Sequence, residues 1–154
     1  MLSEQLQAFM RAGGTLAVMG ETRPDLWLPH VGFEPREVNF WWWLEEGADL
    51  GVTMCAPGHK VNDYITKADA TYHIHGVLTP LAEGQISLID NAEGECLMFE
   101  DTTSYAPGRL VVTTLDPFFH HGMFFMPATT RFLLGLLPWL ADTHGAGTGR
   151  QKSA

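Results

Sequence analysis

A chain of 154 residues, 45% hydrophobic and 18% charged, has the size and balance of one globular domain that needs no disulfide or metal staple. Its net charge of −9, with nine lysines and arginines scattered along the chain, excludes nucleic acid as a main partner and disfavours membrane surfaces. No apolar run reaches the roughly 20 residues that span a bilayer, and the N-terminal stretch with Glu4 does not resemble a secretory signal, so a cytoplasmic location is expected.

Residues 3–12 place Leu6, Phe9 and Met10 at helical spacing behind a Ser3 cap, and Gly13-Gly14 supplies the stop. The next segment, TLAVM (15–19), is short and apolar throughout, as suits a strand covered on both faces, and Gly20 ends it. Residues 21–68 are irregular, with Pro24, Pro29, Pro35 and Pro57 and the aromatic block FWWWLEE at 40–46. Three adjacent tryptophans cannot share one face of a helix or strand, so part of the block must cover another surface or a pocket rim.

The second half alternates more regularly. Strands are expected at 70–76, 85–90, 95–101 and 109–116, with NAEG (91–94) as a hairpin turn between the second and third. Residues 127–142 begin with proline and carry Phe132, Leu133, Leu136, Leu137 and Leu140 at helical spacing, which predicts a closing amphipathic helix despite Gly135 and Pro138. Residues 143–154 have no apolar pattern and read as a disordered tail, leaving 1–142 as a single domain. Cys55 and Cys96 stand far apart in no metal-finger spacing and read as reduced thiols.

Four stretches together, LQAFMRAGGTLAVMG (6–20), YHIHGVLTP (72–80), GRLVVTTLDPFFHHG (108–122) and FLLGLLPWL (132–140), resemble class I glutamine amidotransferase-like domains, in particular the ThuA trehalose-utilisation branch. The resemblance implies an α/β flavodoxin-like three-layer sandwich, mostly parallel with an antiparallel hairpin, whose pocket lies at the carboxyl ends of its strands. It also implies that the N-terminal βαβ unit is lacking, so that a homo-oligomer or a partner chain would cover an exposed sheet edge. The family's catalytic groups are not matched: Met19 stands where its cysteine would fall, and Asp116 and Phe118 where its histidine and glutamate would. With neither thiolate nor base, glutamine hydrolysis is not expected.

The histidines carry what chemistry there is. On a strand His73 and His75 would share a face, since side chains alternate with a period of two. Such an H-x-H pair lines a pocket or contributes two ligands to a divalent metal ion, with His120 as the third. The candidate ligand pocket comprises Gly20, Glu21, His73, His75, Gly76, Asp116, His120 and His121, with His59 as a further candidate ligand. Two functions follow: a module that binds a small polar, carbohydrate-related molecule or assembles with a partner, and alternatively a carbohydrate-modifying hydrolase or metal-assisted enzyme using the His/Asp cluster. Glu100 or Asp101 could reach the same rim from a neighbouring strand end.

Overall fold

The computed structural model describes residues 2–36, 41–124 and 126–142. Its elements run α1 (Leu2–Arg11), β1 (Thr15–Met19), β2 (Val31–Pro35), β3 (Thr53–Met54), α2 (Lys67–Ala70), β4 (Gly76–Pro80), β5 (Gln85–Asp90), β6 (Cys96–Asp101), β7 (Arg109–Thr113), α3 (Pro117–Gly122) and α4 (Pro127–Asp142). The strands make one seven-stranded sheet in the order β1-β7-β6-β4-β2, with β5 paired to β6 and β3 paired to β5.

The expected flavodoxin-like, mostly parallel sandwich is corrected to a mixed α/β fold with a mostly antiparallel sheet. Among the described residues only β1 and β7 run parallel, from Thr15 opposite Arg109 to Met19 opposite Thr113. The pairs β2–β4, β3–β5, β4–β6, β5–β6 and β6–β7 are all antiparallel. The cause is connector length. Residues 81–84, 91–95 and 102–108 are all that separates β4, β5, β6 and β7, and a crossover between parallel neighbours takes roughly a dozen residues or more.

The TLAVM and QISLID segments form strands at the positions expected, and so does the closing helix. The strand expected at 70–76 is displaced: α2 occupies Lys67–Ala70 and β4 begins at Gly76, with Ile74 making an isolated antiparallel bridge to Leu115. A Cβ at Gly76 would lie 2.7 Å from the Glu34 carbonyl oxygen and from the Phe33 ring, so this glycine lets β2 close on β4. Within the aromatic block, Trp41 is exposed, while Phe40, the side chain of Trp43 and the expected tail at 143–154 lie outside the described residues. Among the described residues no helix is long and apolar enough to cross a membrane.

Apolar residues cover both faces of the sheet. Leu110 and Val112 of β7 join Met10, Val18, Leu78 and Phe99 beneath α1. Val111, one residue out of phase, joins Leu97, Met98, Phe132, Leu136 and Trp139 beneath α4, as the alternation of a strand requires. At the start of β7 the buried Arg109 ion-pairs with Glu100 and holds its guanidinium 4.0 Å from the Trp139 ring centroid. Glu100 also bonds His59 Nε2 at 2.8 Å, which ties the segment before α2 to the sheet.

α4 passes close to that segment. A Cβ at Gly135 would stand 2.2 Å from the Tyr64 carbonyl oxygen. An alanine in a helix ordinarily stabilises by about 0.5–1 kcal/mol relative to glycine. Here the clash reverses the sign, and Gly135→Ala is expected to destabilise by about 1–3 kcal/mol, read as a lower denaturant midpoint, whereas the exposed Leu134→Ala should change it little.

Candidate functional site: a histidine cluster at the strand ends

The parallel pairing of β1 with β7 brings Met19 and Thr113 side by side, so the chain leaves both strands at one rim. The Gly20 N–H donates to the carbonyls of Thr113 and Leu115. Gly20 has φ +69°, and a Cβ there would come 2.7 Å from Asp116 Oδ2, so the rim closes this tightly only around glycine. Asp116 caps α3 by accepting from the Phe119 N–H at 3.1 Å.

Across this rim lies the segment leading into β4. Ile74 points into the core and bridges to Leu115, which leaves His73 and His75 on the opposite side, their ring centroids 4.7 Å apart. α3 supplies the third imidazole. His120 is fully buried, its ring centroid 5.4 Å from that of His73 and 5.2 Å from that of His75, with the His75 and His120 rings inclined by 24°. His75 Nε2 and His120 Nε2 are 3.0 Å apart, and His75 Nδ1 is 2.8 Å from Glu21 Oε1.

A carboxylate only accepts, so His75 donates its Nδ1–H to Glu21. The hydrogen bond between the two Nε2 atoms continues the chain to His120, and which of the two donates follows the tautomer. The result is a hydrogen-bonded chain joining His120, His75 and Glu21. Burial pushes the His73 imidazole down to about 4, with the neighbouring His75 and His120 adding to the effect and Glu21 opposing it. His120 is lowered for the same first reason and by His75, against the pull of Asp116. Tyr72, missed in the sequence, packs edge-on to His120 at 6.2 Å. Its hydroxyl is buried with no hydrogen-bond partner among the described residues, and burial, then Asp116, raises it well above the ordinary phenol range.

The structure therefore gathers Gly20, Glu21, His73, His75, Asp116 and His120 at one place. His121 turns away, its Nδ1 2.8 Å from Thr130 Oγ1, and Gly76 serves strand packing instead. His59, Glu100 and Asp101 belong elsewhere: β6 runs antiparallel to β7, so Glu100 lies opposite Val111 and Asp101 opposite Leu110, toward the start of β7 and away from the histidines. Asp101 accepts from the Thr103 and Ser104 N–H groups and closes a turn. Among the described residues no three His, Cys, Asp or Glu side chains are disposed to hold a metal ion. Burial raises the Cys55 thiol to about 11 and the Cys96 thiol to about 12, which leaves both protonated at neutral pH.

Fold and site together define a mixed α/β domain with a buried imidazole cluster at one sheet rim. No protein-family model matches the chain, and no curated protein matches it. Among solved structures it is similar to one described as the mmIFT52 N-terminal domain, with a TM-score of 0.54 and 12% identity over 98% of this chain and 72% of that one. Likeness at that identity concerns the fold alone. It overturns the expected kinship with glutamine amidotransferase-like and ThuA-like proteins, and with it the carbohydrate-metabolism assignment.

The lowered imidazoles give the fold an acid limit. Between the ordinary imidazole value of 6.5 and the folded value of about 4 for His73, the unfolded chain binds the proton and the folded chain does not, so stability falls as pH drops through this window. His120 acts in the same direction. Denaturant midpoints measured from pH 7 to 4 should decline, and His73→Gln should flatten part of the slope.

Proposed function

We propose that this chain is a binding domain, without amidotransferase chemistry, that takes a small polar ligand at the rim built by Glu21, His73, His75 and Asp116. The observation that carries the reading is the hydrogen-bonded chain from His120 through His75 to Glu21, set beside a Tyr72 hydroxyl that has no partner among the described residues. Three buried or half-buried imidazoles next to two carboxylates are costly to assemble for packing alone. A neutral imidazole such as His73 carries one donor and one acceptor, which suits hydroxyl or amide groups better than it suits a second anion beside Glu21 and Asp116.

An enzymatic reading has one observation in its favour, the carboxylate on the far nitrogen of His75, which is how a general base is oriented. Against it, His75 Nε2 is already engaged by His120, and His120 is fully buried. Binding is the better-supported reading.

The test is nitrogen-15 NMR of the histidine side chains during a screen of small polar fragments. Ligands are expected to shift the His73 and His75 ring resonances, and Glu21→Gln should change the His75 tautomer and weaken binding by about 1–3 kcal/mol, the cost of one charge-assisted hydrogen bond. Fragments that bind without touching any of the three imidazoles, or none that bind at all, would remove the proposal.

A further inference from the structure

The histidine rim carries negative charge that no fixed cation offsets. Residues 12–22, 71–80 and 110–130, which build it, hold Glu21 and Asp116 and no lysine or arginine. Among the described residues neither carboxylate is paired with a lysine or arginine: Arg23, two positions from Glu21, gives Nε and a terminal nitrogen to the two oxygens of Asp25, and Arg131 is paired with Asp69. Burial lowers the His73 and His120 imidazoles, so neither supplies a positive charge at neutral pH. Both carboxylates also keep an oxygen in hand. Glu21 meets His75 through Oε1, and Asp116 caps α3 through Oδ1, while its Oδ2 lies 2.7 Å from where a Gly20 Cβ would stand and accepts no hydrogen bond among the described residues.

Two further observations are independent of that charge. Tyr72 is 1% exposed and its hydroxyl has no partner among the described residues, although an unpaired buried hydroxyl is destabilising. Burial, then the charge of Asp116, raises it, so the hydroxyl lies within reach of that carboxylate's field. The other observation is apolar. Phe118 and Phe119 stand more than half exposed on α3, and the Phe119 ring meets His120 edge-on with centroids 5.3 Å apart, so open aromatic surface borders the carboxylates. An aromatic face attracts a cation through its quadrupole and repels an anion.

We infer that the ligand of this rim carries an alkylammonium group, whose N–H groups donate to Glu21 and to Asp116 Oδ2 and whose carbon atoms lie against Phe119. The inference rests on the binding reading above and narrows it to one class of ligand. A hydroxyl or amide would satisfy an imidazole and leave both carboxylates as they are, whereas an ammonium group brings the missing charge together with a donor for each free oxygen. A metal ion is a poorer occupant, because among the described residues no three His, Cys, Asp or Glu side chains are disposed to hold one.

Three probes on one skeleton test it with the full chain: 2-phenylethylammonium, 2-phenylethanol and 3-phenylpropanoate, each titrated while the histidine side chains are followed by nitrogen-15 NMR. The ammonium is expected to move the His73 and His75 resonances and to bind at least about tenfold more tightly than the alcohol, with the carboxylate weaker than both. Asp116→Asn, in which asparagine still suits the cap of α3, should bring the ammonium-to-alcohol ratio down to about threefold or less. Should that variant fail to fold, the ratio in the unaltered chain decides alone. A blocked Leu-Lys-Leu peptide separates the sources of the group: tighter binding than 2-phenylethylammonium assigns it to a protein side chain, and equal or weaker binding to a free amine. An alcohol that binds at the imidazoles as tightly as the ammonium overturns the inference and leaves the binding reading standing. An ammonium that binds without moving either imidazole, or a ratio unchanged in a folded Asp116→Asn, overturns it as well. So does a failure of all three probes to bind, and the wider fragment screen then decides the binding reading by itself.

Discussion

Strand β7 is buried along its whole length between two apolar clusters. Every N–H and C=O in it must therefore be met by a neighbouring strand. β6 meets one side in antiparallel sense and β1 meets the other in parallel sense. The rest of the architecture follows from that double obligation. The parallel half brings the exits of β1 and β7 to one rim, where Gly20 and Asp116 touch. The antiparallel half turns β6 so that its acidic end, Glu100 and Asp101, lies beside the start of β7.

The two ends of β7 are polar in different ways. At its start, Arg109 is buried but compensated: Glu100 pairs with it, Trp139 lies under the guanidinium, and His59 takes the other carboxylate oxygen. Buried charge matched in this way holds elements together. Beyond its other end, three imidazoles cluster, His73 and His120 among them with depressed proton affinity, and the nearby Tyr72 hydroxyl has no partner among the described residues. Perturbed, incompletely matched groups of that kind mark sites more than they mark cores.

The likeness to the mmIFT52 N-terminal domain at 12% identity shows how little of a fold is carried by residue identity. The resemblance to amidotransferase-like domains rested on short glycine-bounded strands, and such strands are local features that several α/β arrangements share. What they did not contain was the sense of the pairings between them. The lengths of 91–95 and 102–108 did contain it, because neither can house a crossover helix.

Local periodicity was enough to place β1, β5 and α4, since the apolar spacing of a strand or helix is written within a few residues of itself. The same-face placement of His73 and His75 was legible too, although they flank Ile74 ahead of β4 and do not lie within it. β2 was hidden by Pro35 and its mixed composition, and α3 by its shortness. The sequence by itself settled which residues alternate and which carry titratable groups. Only tertiary structure decided that His75 would meet His120 across 45 positions and Glu21 across 54. Contacts at such separations depend on which strands pair and in which sense, and no short-range pattern records that.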